Sequence, residues 1–256
     1  SKSMKKVDET SKIEAIYAIQ KQLKACLPTA SNGEVLNLLK DYQAMYERFL
    51  WDDDDAAAIN ETDFDEDYYD VMYGLEWNEK VPEEKLQKMS ARTRYLIGLI
   101  QNDADVRAYN LGEGYYAFSH DLKAMADIFT PYLRPDQKAF IQRMAKDNQD
   151  IFWSDAAITT SFAELVERAQ FWEDYITRYP NGYAVKDAKI LLDLYRYALF
   201  FGSDNTRWTD DDIREFLEPE DKQTMVALTK RPNSILAKDA TNYLNFMALS
   251  DSERQE

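Results

Sequence analysis

Arg178–Leu194 reads RYPNGYAVKDAKILLDL, and Lys230–Phe246 reads KRPNSILAKDATNYLNF. The stretches lie 52 residues apart and match at six of 17 positions: Pro180/Pro232, Asn181/Asn233, Lys186/Lys238, Asp187/Asp239, Ala188/Ala240 and Leu192/Leu244. Each reads as a corner between two helices. The proline ring disfavours helical backbone at Tyr179 and Arg231, so one helix ends there. Asn181, and Asn233 or Ser234, can then cap the next. The new helix places Val185, Ala188, Leu191, Leu192 and Tyr195 on one side. Its counterpart places Leu236 or Ala237, Ala240, Tyr243, Leu244 and Met247 there, at helical spacing. Ala188 and Ala240 are small enough for a neighbouring helix to approach. Lys186 and Asp187 point away and are expected to be solvated.

Working back along the chain, Ser161 and Glu164 form a capping box ahead of a helix carrying Phe162, Leu165, Val166, Ala169, Trp172, Tyr175 and Ile176. That helix runs into the first corner. Phe171, Tyr175, Ile176, Tyr179 and Pro180, followed by Asn181, Gly182, Tyr183, Ala184 and Ala188, resemble the helix turn of tetratricopeptide-like repeats in bacterial envelope scaffold proteins. The resemblance covers about a quarter of the chain. It implies stacked helical hairpins and a protein-binding role in the envelope. The period departs from the family, whose units run about 34 residues; the extra length falls at Gly202–Thr209. A second capping box, Thr209 with Asp212, predicts a short helix ending near Leu217, and a further helix is expected over about Glu220–Lys230.

Toward the N-terminus the pattern stays helical. Thr10–Leu27 carries Ile13, Ile16, Tyr17, Leu23 and Leu27 on one side. After Pro28, Ser31 or Asn32 caps a helix with Val35, Leu36, Leu39, Tyr42, Met45, Tyr46, Phe49 and Leu50, the longest clean 3.6-residue stripe in the chain. The short link predicts an antiparallel hairpin. Pro82 opens a helix expected to run to Gln101. Ser119 is read as the cap of a helix through Leu133. With the helix opened by Pro135, that one makes a second hairpin.

Two stretches break the pattern. Asp52–Asp70 is strongly acidic, and its DxDxD core resembles a calcium loop. Position six of such a loop would be Tyr68 rather than glycine and position twelve Gly74 rather than glutamate, so a solvated acidic loop is the reading carried forward, with a weak hard-cation site as the alternative. The aromatic run Tyr68–Trp77 follows and is expected to pack. Tyr109–His120, YNLGEGYYAFSH, is the least helical segment and is read as one irregular aromatic loop lying against the helices. Glycines and aromatics make it the first choice for a functional surface, with Glu113, Tyr115 and Tyr116 as binding residues; Tyr179 and Tyr183 are added from the repeat. Burial among the tyrosines would raise the Glu113 carboxyl.

Composition bounds the function. The chain has 256 residues with seven glycines and seven prolines, 45% hydrophobic and 30% charged, which fits helices around a core rather than disorder or an all-β fold. Net charge is −16, a field that repels phosphate backbones and argues against nucleic acid; a basic protein partner would be attracted. The single cysteine, Cys26, allows no internal disulfide and is read as a small buried hydrophobe. One histidine, His120, gives no usual zinc set and no triad, and phosphate-binding glycine motifs are absent. No catalytic residue, metal or cofactor is therefore assigned. No apolar run is long enough to cross a membrane. Ser1–Glu9 is polar, lacks a leader pattern and is read as a floppy start; removal of a targeting segment would leave the same residues, so location stays open between envelope or periplasm and cytoplasm.

The expected architecture is all-α: a disordered start over 1–10, an N-terminal helical part over 11–108 and a repeat-like part over 109–249, or one continuous domain. Three functions compete: a protein-interaction or scaffold module; an acidic immunity- or inhibitor-type protein covering a basic partner through Asp52–Asp70; and a carboxylate-based hydrolase using Glu113.

Overall fold

A computed structural model describes residues 1–50, 66–112 and 115–255. Among them the chain forms eleven α-helices and two small two-stranded sheets, so the molecule is mostly helical. It divides into two compact units, 1–149 and 150–256.

The first unit begins with residues expected to be disordered, yet Met4 and Val7 are buried. The Arg48 guanidinium donates to the Met4 and Val7 carbonyl oxygens, which ties the start to the rest. α1 (Glu14–Cys26) buries Ile16, Ile19 and Leu23, and α2 (Asn32–Leu50) buries Val35, Leu39, Tyr42, Met45, Tyr46 and Phe49. Ser31 and Glu34 cap α2 reciprocally: the Glu34 carboxylate accepts from the Ser31 amide at 2.7 Å, and the Ser31 hydroxyl accepts from the Glu34 amide at 3.4 Å. Two expected core positions on α1 are not buried. Tyr17 is largely exposed, its hydroxyl donating to the Asn102 carbonyl, and Cys26 is exposed because Ile16, Ile19, Leu23 and Leu27 claim the opposite side.

α3 (Glu66–Glu76) starts inside the acidic stretch; Asp52–Asp65, with the calcium-loop question, lies outside the described residues. The single helix expected over Pro82–Gln101 is two, α4 (Glu83–Leu86) and α5 (Ala91–Gln101), because Ser90 turns extended and its hydroxyl caps α5 through the Thr93 amide.

The stretch expected to be an irregular loop is a regular hairpin. β1 (Val106–Gly112) pairs antiparallel with β2 (Tyr115–His120), with a register shift between Asn110 and Gly112. The reason is a period of two that the glycines hid: Ala108, Tyr116 and Phe118 pack toward Val71, Met72, Val81 and Ile97, while Arg107 and Tyr109 donate to the Asn148 carbonyl on the other side. Ser119 is a strand residue. The next helix, α6 (Lys123–Phe129), begins later, where the Asp121 carboxylate accepts from the Lys123 amide at 3.0 Å. α7 (Pro135–Asn148) closes the unit and contributes Ile141 and Ala145 to the core.

The second unit opens on β3 (Trp153–Ser154) and β4 (Ala157–Ile158), joined by Asp155 and Ala156, both at positive φ. α8 (Phe162–Arg178) and α9 (Val185–Phe201) pack along each other, as do α10 (Pro219–Leu228) and α11 (Ile235–Ala248). Ser161 caps α8 through the Glu164 amide at 3.1 Å. No helix forms over 209–217: the Asp210 side chain takes the Arg214 and Glu215 amides and Ile213 stands at φ 52°, a tight loop rather than a helical start.

The twin corners are only partly alike. At the second, Asn233 adopts φ 50° and Ser234 caps α11 through the Ala237 amide at 3.0 Å. At the first, Asn181 does not cap; α9 starts at Val185 behind Ala184, without a side-chain cap. Their aspartates also part: Asp187 is exposed, whereas Asp239 accepts from Arg196 Nε at 2.7 Å.

Candidate interaction surfaces

α9 carries apolar side chains on two faces. Ala188, Leu192, Tyr195, Ala198 and Leu199 are buried against the unit. Ile190, Leu194, Tyr197 and Phe201 point outward, at 67%, 43%, 56% and 75% exposure. Their spacing of four, three and four residues places them on one stripe. Large apolar side chains normally lose water contact on folding, and a contiguous exposed set marks a surface that another molecule covers. Beside the stripe lies a groove of about 520 Å³, lined by Tyr197, Phe200, Phe201, Asn242 and Tyr243. The Phe200 and Tyr243 rings lie 5.5 Å apart. At the rim Arg196 bridges Asp193, at 2.9 Å, and Asp239, at 2.7 Å. That cation answers two carboxylates, so the rim keeps a negative excess.

Tyr183, chosen from the repeat, stands half exposed just ahead of α9. Tyr179 does not offer a free ring: it packs on Tyr175 with centroids 5.1 Å apart and lies under the Arg178 guanidinium.

In the first unit the hairpin residues divide. Glu113 lies outside the described residues. Tyr115 pairs with Gly112 through the backbone. Tyr116 is half-buried, and burial together with the Glu76 carboxylate, to which it is hydrogen-bonded, pushes its hydroxyl up to about 12. Asn110 Nδ2 donates to the Tyr116 oxygen at 3.4 Å. Tyr116 thus borders α3, where Tyr69, Tyr73 and Trp77 are exposed at four-residue intervals while Val71 and Met72 face the core. Only half of the aromatic run Tyr68–Trp77 packs as expected.

Just ahead of the hairpin stands a part-buried polar group that sequence reasoning passed over. Asp105, at φ 65°, accepts from Gln20 Nε2 at 2.8 Å and from the Tyr42 and Tyr46 hydroxyls at 3.2 Å each. Burial pushes its carboxyl up to about 6, partly offset by the two tyrosines. His120 stacks on Tyr46 at 3.9 Å, with Nε2 buried and without a hydrogen-bond partner. Burial lowers it to about 4, with Asp121 pulling the other way. Stacked on Tyr46, the imidazole is a packing element here.

Compared with protein-family models, curated proteins and solved structures, the chain gives no match. Function is therefore argued from these surfaces. Among the described residues no helix is long and apolar enough to cross a membrane.

The exposed α9 stripe is the feature that the sequence reading missed. Its signal was present: Tyr195–Phe201, YRYALFF, is apolar nearly all round, as in a helix covered on more than one side.

Proposed function

We propose that this protein is an interaction module that receives an apolar helix of a partner protein along α9. The observation that carries this is the outward stripe Ile190, Leu194, Tyr197 and Phe201. Helix-in-groove recognition uses anchors at this spacing, with one apolar face laid on another. Tyrosine and phenylalanine concentrate binding energy at interface centres. The groove between α9 and α11 gives such a helix a place to insert a side chain beside Phe200 and Tyr243. The likeness of Phe171–Ala188 to envelope scaffold repeats supports the same reading and is its only pointer to the envelope.

The test is affinity capture with the intact chain and with a Tyr197→Asp/Phe201→Asp variant, from cells of the source organism, with the bound proteins identified. Both positions are exposed, so the variant keeps the wild-type helical circular dichroism. The reading expects a discrete partner retained by the wild type and reduced at least about tenfold by the variant. Capture of the same proteins in the same amounts by both would refute it.

A further inference from the structure

We infer that the outer face of α3 is a second binding surface, which takes an arginine- or lysine-rich segment of a protein. It belongs to the other unit and does not depend on the α9 reading. Tyr69 and Tyr73 on α3 and Trp77, in the turn just past its end, form a ladder, with Trp77 at 67% exposure. The Tyr69 and Tyr73 rings are parallel, 11° apart in plane with centroids at 6.1 Å, and Trp77 meets Tyr73 edge-on at 6.5 Å. The ladder is not spare core: Val71 and Met72, on the opposite side, already do the packing.

Charge selects the ligand. Lys85 and Lys88 neutralise Asp67 and Asp70 of α3, so these four side chains add no net charge for a ligand. Glu76, three residues after Tyr73, carries a further carboxylate and is hydrogen-bonded to Tyr116 of the hairpin. The chain as a whole carries a net charge of −16. Electron-rich ring faces attract cations, and guanidinium groups stack on them best of the side chains. The Glu76 carboxylate on the same helix and the chain's negative field reinforce that preference and repel phosphate and other anions. Exposed rings with a nearby carboxylate could also stack a sugar, but the negative field adds nothing for a neutral ligand.

The experiment titrates the full chain into a fluorescently labelled hexa-arginine peptide and follows anisotropy. Any acidic protein attracts such a peptide, so the deciding variants leave net charge unchanged. Tyr73→Leu/Trp77→Leu is expected to weaken binding about tenfold or more. Trp153→Leu, an exposed aromatic of the second unit outside both surfaces, is expected to leave it unchanged. Glu76→Gln is expected to weaken it about threefold. Equal affinity for wild type and the α3 variant would mean diffuse attraction only and would overturn the inference. So would failure of the wild type to bind, or preferential binding of a neutral glucan oligosaccharide lost in the same variant. Loss of binding in the α3 variant alone leaves the α9 reading untouched, and an equal loss in Trp153→Leu contradicts this inference.

Discussion

Glu173 on α8 accepts from Arg231 Nε at 2.9 Å, and the same carboxylate receives the Ser234 hydroxyl at 2.6 Å and the Leu236 amide at 3.1 Å. One buried acid therefore anchors the second proline corner and caps α11 from another helix. Burial would push this carboxyl up, but the bonds from Arg231, Ser234 and Leu236 outweigh it and hold it below its ordinary 4.5. A Glu173→Gln variant takes from Arg231 the buried one of its two carboxylate partners, leaving the exposed Asp174, and is expected to cost about 1–3 kcal/mol in urea denaturation. A carboxyl held low in the fold contributes stability above its unfolded value, lost as pH falls below it. The gap between wild type and Glu173→Gln should therefore narrow as pH drops below about 4.5. A gap that widens in acid would contradict this assignment.

Asp105 and His120 should oppose each other. Asp105 is raised to about 6. Its contribution is complete below the unfolded value of 3.8 and lost as pH rises through 6. His120 is lowered to about 4. Its contribution is present above the unfolded 6.5 and lost as pH falls toward 4. Relative to wild type, Asp105→Asn is expected to lose about 1–2 kcal/mol as pH falls from 6 to 4, because only the histidine then titrates. His120→Phe keeps the stack on Tyr46 and is expected to gain a similar amount over the same window. Parallel pH profiles for the three proteins would show that neither group is held as described.

The β3–β4 turn offers a stabilising change. Asp155 and Ala156 both sit at positive φ, as a two-residue hairpin of this hand requires, and alanine is a poor residue there. The Asn205 side chain donates to the Asp155 carbonyl at 2.8 Å, and its amide donates to Ala156 at 3.1 Å, which fixes the turn. Ala156→Gly should raise stability by about 0.5–1 kcal/mol in thermal unfolding. A loss would mean that the turn relaxes to negative φ.

Gly202 ends α9 at φ 65°, ψ −142°, a conformation open essentially to glycine. A Cβ there would run into the Thr206 carbonyl oxygen. That carbonyl accepts from the Ser203 amide at 2.9 Å, while the Thr206 hydroxyl accepts from the Ile158 amide at 2.9 Å. Gly202→Ala is therefore expected to cost about 2 kcal/mol or more, read as a lowered midpoint.

The sequence made the helices legible wherever a side chain signed their start. Ser31, read as a cap, works with Glu34 reciprocally; of the box read at Ser161 and Glu164 the Ser161 cap forms while the Glu164 carboxylate turns to Arg168; and the stripe of α2 is buried as spaced. Thr209 with Asp212 offered the same letters and failed, because Asp210 captured the following amides first and local side-chain bonds compete with helix formation. The Pro82 helix broke for the mirror reason: Ser90 was a better start than its neighbours were a continuation. The hairpin escaped because Gly112 and Gly114 drew attention away from alternation. At the candidate surfaces, Tyr183 and Tyr116 were singled out, but the α9 stripe was not read at all and the aromatic run Tyr68–Trp77 was expected to pack. An apolar residue at helical spacing says that it will be covered, and only coordinates say whether this chain does the covering.

The most direct test of partner docking on α9 is photo-crosslinking from position 194. A benzoylphenylalanine placed at Leu194 should yield one discrete adduct with another protein in the source cells, and the same group at the exposed Lys230 should yield none. Equal labelling from both positions, or no adduct from 194, would contradict the proposal that this helix face is a binding surface.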